Sequence, residues 1–206
     1  MHQLLIDPEI LISMLLNEIN RRKDMSRIPT PASISEAPEA SRALLEAVNS
    51  LLGTVPNLFR ITANSPKTLE GYLGLNGALS AGSLSAQTRE RIALAVAEIN
   101  DCDYCLAAHD YLGRNVAKLS SEEIEAARRG HSDDEKAAVA LEFAAKITKD
   151  RGNVSNDDVQ KVRSAGYSDA ELVEIIGNVA LNVLTNYINR VLATDIDFPS
   201  VKPLSE

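Results

Sequence analysis

The 206-residue chain has only two cysteines, Cys102 and Cys105. A secreted framework stapled by several disulfides is therefore excluded, and a reducing, cytoplasmic setting is expected. Basic residues are also in the minority: 21 Lys and Arg stand against 29 Asp and Glu, a formal net charge of −8. Nucleic acid and anionic membranes both recruit basic surfaces, so neither is expected as a partner. No stretch alternates apolar and polar residues with period two long enough to compete as a strand, and there is no internal repeat. A long hydrophobic run is missing too. The apolar segment LLIDPEILISMLLNEI is interrupted by Asp7, Glu9 and Glu18, which makes it too short and too charged for a bilayer span. It also lacks the basic flank of a signal peptide.

What remains is the composition of a soluble globular protein, 45% hydrophobic and 24% charged, with enough length for one substantial core. Asp7-Pro8 reads as N-cap and first helical residue. Ile10, Leu11, Met14, Leu15 and Ile19 then form an apolar face that ends at Arg21-Arg22-Lys23. Residues 1–25 are thus expected to be a helical appendage, with Met25 an alternative start, ahead of an all-α domain at 26–206.

An extended arm with Pro29, Pro31 and Pro38 leads to a helix from about Pro38 to Leu52, stopped by Gly53. A short helical turn follows at Pro56–Phe59, and Ser65-Pro66 opens another helix carrying Leu69, Tyr72, Leu73, Leu75 and Leu79. Gly71, Gly74 and Gly77 within it each cost about 1 kcal/mol against alanine. They imply either close backbone packing against a neighbour or a kinked, frayed helix. Further on, Ser120/Glu123, Ser132/Glu135 and Ser168/Glu171 match the capping box, which predicts helices at about 121–129, 133–150, 156–165 and 169–195. In the last of these, Glu171, Glu174, Asn178, Asn182, Thr185 and Asn189 form a narrow polar stripe on an otherwise apolar girth. Such a helix belongs in a core or at an oligomer interface. Its stripe either lines a pocket or faces water, and Asn189 fits the surface better.

The chemistry is concentrated between Glu90 and His109. In a helix starting near Cys102, Cys105 and His109 share its face at i+3 and i+7, and His109 is one turn from Cys105. Ser85 suits the N-cap of a preceding helix, and Asn100-Asp101 suits a break between the two. Folding back there brings Glu90 and His109 to about the same height. A carboxylate can then orient an imidazole that accepts a thiol proton. The result is an all-α bundle of about eight helices with the cysteine hairpin at its centre. Position near a helix N-terminus favours Cys102 as the reactive and more exposed thiol, whereas reach from His109 favours Cys105. Zinc competes for two thiolates and an imidazole, but a closed site needs a fourth ligand, for which only His2 and His131 remain. Elsewhere, Glu98 is read as a minor influence on the thiol, Tyr104 as a lid or packing residue, and Tyr72 and Phe59 as core that could border an apolar entrance. His131 is read as a loop residue.

The pattern E-x11-C-x2-C-x3-H, carried by Glu90, Cys102, Cys105 and His109, resembles the redox motif of AhpD-like alkylhydroperoxidases in the carboxymuconolactone decarboxylase superfamily. The similarity runs from about Ile28 to Asp195 and includes the ending NVLTNYINRVL. The best-studied branch has a histidine between the cysteines, where this chain has Tyr104. The resemblance implies a thiol-dependent peroxidase that needs no metal or cofactor. In it Cys105 attacks a hydroperoxide, Cys102 resolves the sulfenic acid, and His109 and Glu90 relay the proton. It also implies an external dithiol reductant, of lipoyl type in related enzymes, and a homo-oligomer, trimeric or hexameric. Two other outcomes stay open: a carboxymuconolactone decarboxylase-like enzyme, which does not depend on a CxxC pair, and a thiol redox sensor without turnover.

Overall fold

The computed structural model describes residues 26–202 and residue 204. The expected helix between Asp7 and Lys23 and the alternative start at Met25 lie outside them. Among the described residues there are nine α-helices, one 3-10 turn at Ile34–Glu36, and no strand. In chain order the helices are α1 (Glu39–Leu52), α2 (Asn57–Thr62), α3 (Pro66–Ser80), α4 (Ala86–Ile99), α5 (Asp103–Asn115), α6 (Ser121–Arg128), α7 (Glu135–Lys149), α8 (Asn156–Ser164) and α9 (Asp169–Leu192). The expected short turn after Pro56 is the six-residue α2.

Helix α4 is the axis of the bundle, packed against α5, α6, α7 and α9. Its sequence makes this possible, because Arg91 to Ala97 are all buried, and Ala93, Ala95 and Ala97 among them are small enough to admit neighbours on every side. Ile92, Leu94 and Val96 are fully buried, each worth about 1.5–3 kcal/mol of transfer free energy. They join residues of α6 to α9, including Ile124, Leu141, Phe143 and Ile175, in one core. A second core lies at the other end, where Ala97, Cys102, Tyr104, Cys105 and Leu181 meet Leu45, Leu58 and Leu69 of α1 to α3. The cysteine pair is therefore packed inside a core.

Local signals set most helix ends. Ser65, Ser85, Ser120 and Ser168 each accept a backbone N–H at their helix start. Gly53 ends α1 at φ 74°, where its N–H reaches the Asn49 carbonyl. Ser168 and Glu171 form a complete capping box. The Ser132/Glu135 box does not form. Asp134 caps α7 instead, accepting from Ala137 N at 3.0 Å, while the Ser132 hydroxyl donates to the Glu123 carboxylate. That carboxylate also receives Arg91 Nε at 2.6 Å, so Glu123 serves an interhelix network rather than the second half of its own box. A complete box does appear at Ser155/Asp158, with aspartate in the usual glutamate position. The last helix stops at Leu192, three residues before the expected end, because Ala193 turns left-handed at φ 49°.

The three α3 glycines do not pack closely. A Cβ at Gly71, Gly74 or Gly77 would meet nothing within 4 Å, and they lie on an unbroken helix. Close approach occurs instead at Gly177 of α9, where a Cβ would stand 3.0 Å from Leu79 Cδ2.

Candidate active site

Asn100 ends α4, and Asp101 adopts a left-handed φ of 50°, a conformation that Asp tolerates better than most residues. The chain reverses there, and Cys102 becomes the N-cap of α5, its sulfur accepting the Cys105 N–H at 3.4 Å. Cys102 and Cys105 are joined in a disulfide with their Cα atoms 5.2 Å apart, inside the usual bridging range. Both are buried; Cys102, expected to be the more exposed, is 1% accessible against 3% for Cys105.

The hairpin brings Glu90 of α4 to His109 of α5 as its register requires: His109 Nδ1 lies 2.8 Å from Glu90 Oε2. An ionised carboxylate only accepts, so the contact fixes the proton on Nδ1 and leaves Nε2 free to accept one. Glu90, Cys105 and His109 line one cavity of about 120 Å³, with Tyr72, Leu181 and Asn182 among its other walls. Cys102 is absent from that cavity and lines a second one, with Asp101, Asp103, Arg190 and Ile196. All four sequence-predicted residues are thus brought together, with the two cysteines bordering different cavities.

Sequence reasoning missed Asn189. It is 3% exposed rather than on the surface, and its Nδ2 donates to Cys105 Sγ at 3.3 Å. The signal was present in the uncharged stripe of α9, whose Asn178, Asn182, Thr185 and Asn189 all border the Cys105 cavity. The solvated-surface reading of Asn189 fails because the polar stripe points inward together with Ile175, Val179 and Leu181, while Val173, Ile176, Leu184, Tyr187 and Val191 are left exposed on the other side.

Other residues settle into supporting places. Tyr104 donates to Asp197 Oδ1 at 2.9 Å and accepts the Leu58 N–H at 3.0 Å. Burial pushes its phenol well above the ordinary value, the Leu58 N–H opposes this, and the Asp197 carboxylate adds to the rise. Tyr104 is therefore a packing residue that fastens the C-terminal segment. Glu98 is committed to Arg128 Nε at 2.7 Å, away from the thiols. Tyr72 lines the Cys105 cavity, and burial raises its hydroxyl to about 12. Phe59 packs against Tyr72 at 5.6 Å between centroids, the rings tilted by 41°, and is not among the residues of the cavity wall. His131 is exposed between α6 and α7. Among the described residues no group of three or more His, Cys, Asp and Glu is set to hold a metal ion, and no helix is long and apolar enough to cross a membrane.

Among the described residues the site is thus a buried CxxC disulfide beside a carboxylate–imidazole pair in an all-helical bundle. Residues 66–150 match the carboxymuconolactone decarboxylase family. The fold is similar to that of an uncharacterised peroxidase-related protein from Silicibacter sp. TM1040, with TM-score 0.71, 27% identity, and coverage of 82% of this chain and 90% of that one. It is also similar to an uncharacterised peroxidase-related protein with an alkylhydroperoxidase AhpD core from Ralstonia eutropha JMP134, with TM-score 0.75, 25% identity, and coverage of 84% and 92%. The debrominase Bmp8, solved in complex with 2,3,4-tribromopyrrole, shares the fold at TM-score 0.70 and 20% identity over 84% of this chain and 94% of that one. An uncharacterised protein of Haemophilus influenzae is 49% identical over 45 residues, 21% of this chain, and the chain spans 40% of that relative's length. The family match and these neighbours support an AhpD-like member of the carboxymuconolactone decarboxylase superfamily.

Proposed function

We propose that the protein is a thiol-dependent peroxidase that reduces hydroperoxides through the Cys102/Cys105 dithiol–disulfide couple. The observation that carries this reading is the Glu90–His109 pair opening on the same cavity as Cys105. In the reduced protein, His109 Nε2 accepts the Cys105 proton, and the thiolate attacks the terminal peroxide oxygen. The O–O bond breaks, the alkoxide takes a proton and leaves as alcohol, and Cys105 becomes a sulfenic acid. Cys102 then attacks Cys105 Sγ and expels the oxygen as water. Two electrons have passed from the dithiol to the peroxide, leaving the disulfide seen here. Asn189 Nδ2 can steady the thiolate.

A cavity of about 120 Å³ is small beside the roughly 300–1,000 Å³ of drug-sized sites. It favours hydrogen peroxide or a short alkyl hydroperoxide as substrate. An external dithiol must restore the thiols, in a reducing compartment such as the cytoplasm. The apolar outer face of α9 is the proposed seat of a homo-oligomer.

Steady-state consumption of peroxide with a supplied dithiol tests the activity. Sustained turnover that needs both cysteines supports it. Stoichiometric disulfide formation without turnover would leave a redox sensor.

A further inference from the structure

Oxidation of Cys105 moves two protons, and His109 accounts for one of them. The new bond to sulfur forms at the terminal peroxide oxygen, and the other oxygen departs with the electron pair, in line with the sulfur and away from it. His109 lies one turn from Cys105 on the same helix, beside the thiol whose proton it takes. The departing oxygen needs a proton from elsewhere on the cavity wall. Tyr104 also borders the cavity but already donates to Asp197, and the Thr185 hydroxyl donates to the Asn182 carbonyl. The amides of Asn178 and Asn182 are turned to carbonyls of their own helix and are not acids. Arg89 keeps its proton at any working pH.

Tyr72 is placed differently. Its ring is held against Phe59, and the side chain is 9% exposed. Among the described residues its hydroxyl has no hydrogen-bond partner, yet it is not one of the polar atoms sealed in without one. The hydroxyl therefore meets open space. That space is not bulk water, because burial is the main cause that pushes the phenol up to about 12, with the Glu90 charge adding to the rise. Tyr72 borders the Cys105 cavity of about 120 Å³, and a guest in so small a cavity meets walls on every side.

Resting on the peroxidase reading, we infer that Tyr72 is the general acid of the oxidation step, donating its phenolic proton to the oxygen that leaves the peroxide. The Cys105 thiolate forms the S–O bond and the O–O bond breaks. The departing oxygen receives the electron pair and the Tyr72 proton, and leaves as alcohol, or as water from hydrogen peroxide. Cys105 is left as the sulfenic acid, oxidised by two electrons. The Tyr72 phenolate regains a proton from the His109 imidazolium, so the proton lost by the thiol ends on the product. A phenol near 12 is still protonated where the thiolate forms, and its proton passes downhill to hydroxide, whose conjugate acid, water, has a pKa of about 15.7.

The test compares two small oxidants on the reduced protein, with thiol loss followed by rapid acid quench, alkylation and mass spectrometry. Hydrogen peroxide expels hydroxide, which needs a proton. Peracetic acid expels acetate, which does not, since a carboxyl group ordinarily titrates at about 4. Tyr72→Phe should slow oxidation by hydrogen peroxide roughly 10²-fold and oxidation by peracetic acid less than about twofold. Equal slowing with both oxidants, or none with hydrogen peroxide, overturns the assignment. Because the hydroxyl bonds to nothing in the fold, the variant should melt with the parent in calorimetry. A clearly lower melting point would show a hydroxyl already spent on stability and overturns it as well. A wild type no faster than free cysteine with hydrogen peroxide loses the peroxidase reading and this inference together, whereas a fast wild type matched by an equally fast variant loses the inference alone.

Discussion

At the scale of single residues the proposed division of labour follows from which group each sulfur can reach. Cys105 shares its cavity with His109 and Glu90, and Cys102 does not. Cys102→Ser should therefore leave Cys105 able to form a sulfenic acid on peroxide treatment, trapped by dimedone, and Cys105→Ser should abolish that adduct. The opposite pattern would reverse the two roles. Glu90→Gln removes the carboxylate that holds the proton on His109 Nδ1. Oxidation should slow by about 10²-fold near neutral pH, a typical general-base contribution. The deficit should shrink near pH 9, above the ordinary thiol pKa of about 8.5, where the thiolate forms unaided; a deficit constant with pH in stopped-flow traces would rule the relay out. Tyr104 makes a different prediction. Tyr104→Phe leaves the buried Leu58 N–H without its acceptor and removes the Tyr104 hydrogen bond to Asp197, which keeps the Asn57 N–H, a loss of about 1–3 kcal/mol. A melting point lower by roughly 2–10 °C is the expected result in calorimetry.

At the scale of helices, the sequence told most where one local rule decided the outcome. The caps at Ser65, Ser85, Ser120 and Ser168, the Gly53 stop and the break at Asn100-Asp101 are chemistry between near neighbours, and each appears where it was read. The hairpin register that pairs Glu90 with His109 was legible for the same reason. What stayed hidden was the direction in which faces turn. The amphipathic pattern of α9 shows two faces but not which one meets the bundle, and here the amide stripe goes in. That choice depends on α3, α4 and α5 presenting a cavity rather than a flat apolar surface. Ser132 was misread because Glu123, distant in sequence from Arg91, draws its hydroxyl away. The α3 glycines were ambiguous because propensity records their cost without showing whether a neighbour needs the space. With nothing within 4 Å of a Cβ at Gly74, Gly74→Ala should stabilise the protein by about 0.5–1 kcal/mol. Chemical denaturation measures this directly, and a loss of stability would show that α3 is covered by something outside the single chain.

At the scale of the whole molecule the outer side of α9 leaves an exposed apolar surface that the monomer does not use. Val173, Ile176, Leu184, Tyr187 and Val191 are 65%, 42%, 37%, 59% and 61% exposed, and they recur every three or four residues (or twice that) along one side of α9. Their spacing matches the seam by which helices pair. Burying each would contribute about 1.5–3 kcal/mol, and five such side chains exceed what scattered surface hydrophobics amount to. A second copy is the simplest cover, since a self-complementary patch closes by symmetry. The site lies on the opposite side of the helix, on the stripe from Asn178 to Asn189. Assembly therefore should not block either cavity. The wild-type chain should elute as an oligomer at micromolar concentration, and Leu184→Asp with Tyr187→Glu should shift it to the monomer mass in light scattering with its helical circular dichroism retained. A monomeric wild type would refute the interface. If the dissociated variant still forms the Cys102–Cys105 disulfide with one equivalent of peroxide at the parental rate, α9 separates assembly from chemistry by its two faces; a slower rate would mean that the neighbouring copy holds the inner stripe in place.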